Sequence, residues 1–109
     1  YAFHPAICSF MINEIAILTI DPANASAFEA AVAEAAPLFK SAQGCHGMAL
    51  ERGIEDPTQY RLLVQWESVD HHMIVFRNSE SFKHWRALVG NYFVGPVAMS
   101  HSETVDRYF

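Results

Sequence analysis

The chain has 109 residues, which fits one domain and leaves no room for a second. An apolar fraction of 51% with 17% charged residues is typical of a globular protein and excludes a wholly disordered one. The formal charge is −5 and no basic stripe occurs, so we expect no nucleic-acid partner. No apolar run approaches the ~20 residues that cross a bilayer, so we expect no membrane insertion.

Residues 1–10 fit poorly with the rest, because Met11 leads directly into a strand pattern in the manner of a natural start. We therefore expect an N-terminal extension (1–10), one domain (11–105) and a short tail (106–109). Cys8 and Cys45 are isolated, without the spacing of a metal site or a disulfide framework. This pattern favours free thiols and a cytoplasmic location, although a bridge between the two stays open.

The first half of the chain predicts a strand and then a helix. Ile12 to Ile20 is rich in Ile, Leu and Thr and stops at an Asp-Pro turn signal. Ser26 and Glu29 match a capping box, which predicts a helix start. Apolar residues then recur at helical spacing until Gly44, a residue typical of helix ends.

The second half predicts a hairpin, two helical stretches and a last strand. His46 to Arg52 and Tyr60 to Trp66 are strand-like and are joined by a loop of moderate length. Short helices are expected from Ser68 and from near Ser79, followed by a strand over Val97 to Val105. The order β-α-β-β-α-β, with its second helical region split, predicts a ferredoxin-like α+β fold: four antiparallel strands with helices on one face.

The first strand is apolar on both faces, with Ile15 and Ile17 on one side and Ala16 and Leu18 on the other. Two helices can cover only one face of the sheet, so isoleucines would be exposed on the second. A second subunit packed there would remove them from water, which predicts a homodimer. The alternative is a cover made by residues 1–10 or by the tail.

The segment between the hairpin and the last strand carries a recognisable pattern. It consists of a Trp, a Ser two residues later, a His six residues after the Trp, a Phe-Arg pair, a Ser and a Phe. These are Trp66, Ser68, His72, Phe76-Arg77, a following Ser and Phe82. The pattern resembles the central motif of antibiotic biosynthesis monooxygenase domains, and the resemblance extends over Met11 to Val105. It implies homodimers in which each subunit has a pocket between helices and sheet. It also implies oxidation of phenols, anthrones or quinols by O₂ without flavin, metal or haem.

His72 is the candidate catalytic residue. In a helix starting at Ser68, it shares one face with Val69, Met73 and Phe76, while His71 points about 100° away. An imidazole among apolar neighbours has a lowered pKa and is neutral at pH 7, as a general base must be. The alternative is a core histidine that only hydrogen-bonds a carbonyl group.

The remaining candidate residues would line a pocket for a small aromatic molecule. They are Trp66, Phe76, Phe82, Trp85 and His101. A metal site is not expected, because adjacent His71 and His72 cannot converge on one ion from a helix and no HxxxH spacing occurs.

The leading hypothesis is a cofactor-independent monooxygenase acting on a small aromatic, phenolic or quinol-type substrate. The alternatives are a non-catalytic binding or stress-related module, an isomerase of a small metabolite, and a haem-degrading enzyme. The haem-degrading branch resembles this chain at Trp66. However, Asn13 comes too early for its strand-one Asn, and Arg86 stands where its His is expected.

Overall fold

The computed structural model describes residues 11–109, so the predicted extension, and with it Cys8, lies outside the described residues. Four strands and two α-helices make up the domain: β1 (Ile12–Thr19), α1 (Ala25–Lys40), β2 (Cys45–Arg52), β3 (Gln59–Trp66), α2 (Glu80–Val89) and β4 (Ala98–Glu103). Three short helical pieces join them: 3₁₀ turns at Pro22–Asn24 and Gly90–Tyr92, and a π-helical segment at His71–Phe76.

The strands form one antiparallel sheet in the order β2-β3-β1-β4, and both helices pack on the same face. The predicted ferredoxin-like α+β fold is thereby confirmed, including its split second helical region. Between sheet and helices lies an apolar core. Phe39 of α1 is at its centre, with ring centroids 4.8 Å from Phe76, 4.9 Å from Trp85 and 6.5 Å from Trp66.

The predicted capping box is wrong. Asp21 instead accepts a hydrogen bond from the backbone N–H of Ala23 at 2.9 Å and opens a 3₁₀ turn that runs directly into α1. The helix therefore begins at Ala25, before Ser26 can act as its cap. Glu29 binds the side chains of Tyr60 and Arg52 across the domain, so its carboxylate is not needed at the helix start.

The helical stretch after β3 begins as predicted, since Ser68 Oγ accepts the backbone N–H of His71 at 3.2 Å. It then widens into a π-helix, in which the backbone N–H of Arg77 reaches the carbonyl of His72 at 3.1 Å, five residues back. His72 and Phe76 are buried, whereas Val69, expected on the same stripe, is 41% exposed. Val69 therefore does not lie on the buried face that α-helical spacing assigns to it.

The second face of the sheet carries no helix in residues 11–109. Ile15 and Ile17 of β1 and Leu63 of β3 lie there, each only half-buried. Among the helices described, none has the length and apolar character needed for a membrane span.

We expect the protein to be a dimer that packs through this open sheet face. Light scattering at micromolar concentration should give about twice 12.2 kDa. Ile17→Glu should shift the protein towards monomer, because a carboxylate would be placed in the apolar interface. Ile54→Glu, in a loop where Ile54 is 89% exposed, is the matched control and should remain dimeric. A wild-type monomer would contradict the dimer.

Candidate active site

A cavity of about 250 Å³ lies between the sheet and α2. Four ionisable side chains contribute to its wall: Glu14 and His72 are buried, whereas Arg77 and Arg86 are exposed. The rest of the wall is apolar: Ala16, Leu18, Leu62, Phe82, Trp85, Phe93, Val97 and Met99. Buried polar groups converging on an apolar cavity are the usual arrangement of a small-molecule site.

Glu14 reaches the cavity because β1 alternates its side chains between the two faces. It shares the helix-covered face with Ala16 and Leu18, and only 6% of it is exposed. Its carboxylate oxygen Oε1 accepts a hydrogen bond from Trp66 Nε1 at 3.0 Å. A carboxyl group buried to this degree needs such donors, since an unsolvated charge is costly.

His72 lies against the same oxygen. Its Nε2 is 3.2 Å from Glu14 Oε1, and its ring stacks on Trp66 with centroids 5.3 Å apart and planes 16° from parallel. Only 4% of the residue is exposed. Trp66 therefore holds both members of the pair: its indole N–H binds the carboxylate and its ring face supports the imidazole.

His101 completes a hydrogen-bonded chain. In the β1–β4 register it lies directly opposite Glu14, and its Nε2 is 2.9 Å from His72 Nδ1. An ionised Glu14 can only accept, so His72 must donate from Nε2. His72 Nδ1 must then accept from the Nε2–H of His101. The chain thus runs from the buried carboxylate to the half-buried His101.

Burial shifts the pKa values of Glu14 and His72 in the directions that favour their neutral forms. It raises the pKa of Glu14 from 4.5 to about 7, against smaller lowering effects of the Trp66 hydrogen bond and the Arg77 charge. It also lowers the pKa of His72 from 6.5 to about 4, with help from the charges of His101 and Arg77. His72 is therefore neutral at pH 7, and the 3.2 Å contact is a hydrogen bond to a neutral imidazole, not an ion pair. Of these two groups, Glu14 is the one whose pKa lies near neutral pH.

The structure places the predicted residues in two groups. His72, Phe82 and Trp85 line the cavity, and His101 contacts it through His72. Trp66 and Phe76, predicted as walls, are not among the lining residues and belong to the core, where 0% and 3% of their surface is exposed.

Glu14 was not identified from the sequence. The signal that could have found it is an acidic residue in phase with Ala16, Leu18 and Ile20 on the inward face of the first strand. As for metals, residues 11–109 contain no group of three or more His, Cys, Asp or Glu side chains placed to hold an ion.

A larger cavity of about 510 Å³ lies between α1 and β2. Its ionisable groups are Lys40, Cys45 and His46. His46 is bonded to Glu67 at 2.8 Å, and burial raises the pKa of the Cys45 thiol, which keeps it protonated at neutral pH. Because no reactive set converges there, the Glu14 cavity is the stronger candidate site.

Fold and cavity together define a small α+β domain with an acid–base chain beneath its helices, and comparison with known proteins identifies the family. Residues 11–88 match the family model described as antibiotic biosynthesis monooxygenase. The uncharacterized protein YczJ of Bacillus subtilis (strain 168) is 30% identical over 95 residues, which cover 87% of this chain and 100% of YczJ. The chain belongs to the antibiotic biosynthesis monooxygenase family.

Solved structures agree with this assignment. A candidate antibiotic biosynthesis monooxygenase from Bordetella bronchiseptica is 50% identical and superposes with a TM-score of 0.85, covering 87% of this chain and 97% of that chain. SnoaB from Streptomyces nogalater, a cofactor-independent oxygenase, shares the fold at 17% identity with a TM-score of 0.72. That match covers 90% of this chain and 96% of SnoaB.

The raised pKa of Glu14 predicts a particular dependence of stability on pH. The folded protein holds this proton more tightly than the unfolded chain, so the contribution of Glu14 is full below pH 4.5 and is lost as pH rises through about 7. The Glu14→Gln protein lacks this loss. Between pH 4.5 and about 7, its free energy of unfolding should therefore rise by about 3 kcal/mol relative to wild type. Chemical denaturation at several pH values measures it.

The lowered pKa of His72 acts in the opposite sense: its contribution to stability is present above pH 6.5 and is lost as pH falls through about 4. Wild type and Glu14→Gln both contain His72, so the difference in stability between them isolates Glu14. Glu51→Gln, at an exposed position on β2, provides the matched comparison. Parallel pH profiles for wild type and Glu14→Gln would show that the carboxyl pKa is not raised.

Proposed function

We propose that the protein is a cofactor-independent monooxygenase that oxidises a small phenolic or quinol-type aromatic substrate with O₂, and that Glu14 is its general base. The observation that carries the proposal is the chain Glu14–His72–His101, whose carboxyl end lies in an apolar cavity. A general base works best when its pKa lies near the working pH, and Glu14 meets this condition with a pKa of about 7.

The proposed reaction begins with a phenolic or activated C–H proton passing from the substrate to the Glu14 carboxylate. The resulting anion is electron-rich and reacts directly with O₂. One oxygen atom enters the substrate as a carbonyl, and the other leaves as water, which takes both of its hydrogens from the substrate. The substrate supplies all the electrons, so no further reductant is needed. Water exclusion by the apolar wall keeps the anion reactive.

His72 acts here as a positioning residue and not as the base. With a pKa of about 4, its imidazole is a weak acceptor at neutral pH, and its Nε2–H already faces Glu14. It fixes the carboxylate orientation and leaves the second oxygen, Oε2, for the substrate; within residues 11–109 this oxygen has no hydrogen-bond partner. His101 fixes the tautomer of His72 by donating to Nδ1.

Two further findings support an enzyme over a binding module. A filled core would have favoured a non-catalytic domain, but the cavity is open and has two buried polar groups in its wall. SnoaB, a cofactor-independent oxygenase, has the same fold. The haem-degrading alternative gains no support: Asn13 lies on the sheet face opposite Glu14, and Arg86, not a histidine, lines the cavity.

The first test is O₂ consumption against anthrones, naphthols and quinols, with protein free of metal and flavin. Glu14→Gln should retain the hydrogen-bonded geometry but lose roughly 10²–10⁴-fold in turnover, the usual contribution of a general base. In wild type, kcat/KM should rise with pH through about 7, because the ionised carboxylate is the active form. Saturable binding without O₂ uptake by wild type would instead indicate a binding module.

The second test separates positioning from packing at His72. His72→Ala removes hydrogen bonds to Glu14 and His101, so we expect a loss of about 1–3 kcal/mol in stability together with reduced turnover. His71→Ala is the matched control, because His71 bonds only Ser68 within residues 11–109 and does not line the cavity. It should leave turnover unchanged. A destabilised but fully active His72→Ala protein would refute the assigned role.

A further inference from the structure

Two arginines mark the exposed end of the cavity. Arg77 follows the π-helical segment directly, and Arg86 lies on α2 one turn after Phe82, so that both line the cavity while remaining exposed to solvent. The acidic chain has only seven Lys and Arg residues for its net charge of −5. Two of these seven at one cavity mouth therefore form a local concentration of positive charge.

Neither guanidinium has an ion-pair partner among the described residues. Within residues 11–109, the ion pairs of Arg and Lys are Arg52–Glu29 and Lys83–Glu80, and no carboxylate lies within 4.0 Å of Arg77 or Arg86. Residues 1–10 contain no Asp or Glu, so they have no acidic side chain to offer. Arg77 is nonetheless oriented, because its guanidinium lies 5.5 Å from the ring centroid of Phe82 and its Nη1 is 3.8 Å from Met73 Sδ.

We infer that the substrate is an aromatic acid: a hydroxyarene of one or two rings whose carboxylate binds Arg77 and Arg86. This inference rests on the proposed function, since it places the hydroxyl group of the same molecule at Glu14. A carboxylate matches the planar, forked donors of arginine. The size follows from the cavity, because about 250 Å³ is below the roughly 300–1,000 Å³ of sites for drug-sized ligands.

The charge pattern of the cavity gives such a ligand one orientation. Glu14, once ionised, repels a second carboxylate from the buried end, while the arginines attract it at the exposed end. The hydroxyl group is then directed towards Glu14, and the rings lie along Phe82 and Trp85. A neutral phenol lacks this directing charge.

The test compares 6-hydroxy-2-naphthoic acid, whose hydroxyl and carboxylate groups lie at opposite ends of the rings, with 2-naphthol by isothermal titration calorimetry without O₂ at pH 7.5. The acid should bind at least about 10-fold more tightly, and Arg77→Gln or Arg86→Gln should each lower its affinity about 5- to 10-fold. Affinity for 2-naphthol should change less than about 2-fold. Lys83→Gln, on the same helix but outside the cavity, controls for net charge and should leave both affinities unchanged.

Equal affinity for the two ligands, no binding of the acid up to about 1 mM, or a preference that survives in the Arg77→Gln/Arg86→Gln double variant would each overturn the inference. The oxygenase proposal is tested apart from it, because the titration contains no O₂. A protein that prefers the acid but never consumes O₂ would refute only the oxygenase. O₂ uptake with 2-naphthol at equal affinity would refute only the arginine site.

Discussion

The site depends on one buried atom, the carboxylate oxygen Oε1 of Glu14. It accepts hydrogen bonds from Trp66 at 3.0 Å and from His72 at 3.2 Å. Isolated burial of a carboxylate would cost several kcal/mol, and two N–H donors offset much of that cost. The donors come from β3 and from the π-helical segment, so strand and segment must both be in place before Glu14 is satisfied. Removing either donor would leave the carboxyl group underbonded.

The register of the strands also determines whether these side chains can meet. Glu14 lies opposite His101 on β4, and Trp66 lies opposite Ile12, two residues from Glu14 on the same face. A slip of one residue would turn Glu14 towards the open face, because side chains alternate. The chain of hydrogen bonds is therefore a consequence of correct pairing. Gly44 lies beside the π-helical segment, and its φ of +80° and lack of a Cβ permit the ring of His71 to pack directly on its backbone.

Periodicity was enough to predict the fold and the inward direction of His72, but not the site. Alternation in β1 and the helix start at Ser68 are local signals, and both are present in the structure. The bond between Glu14 and Trp66 joins residues 52 positions apart, and no local pattern reports it. The π-helical widening was not predicted either, because the sequence after Ser68 fits ordinary helical spacing. Trp66 was expected to line the pocket, whereas in the structure it is fully buried, donates a hydrogen bond to Glu14 and stacks on His72.

The same burial that destabilises the ionised carboxylate favours the proposed proton transfer. A phenol has a pKa of about 10 and an ordinary glutamate one of about 4.3, a gap that costs roughly 8 kcal/mol to cross. With the pKa of Glu14 raised to about 7, the gap falls to about 3 units, or about 4 kcal/mol. After transfer Glu14 is neutral, the form that its surroundings prefer. In the proposed reaction the negative charge would then belong to the substrate, on the side of Glu14 that faces Arg77 and Arg86. Desolvation of Glu14 at one end of the cavity and the two arginines at the other would thus both lower the free energy of the proposed proton transfer.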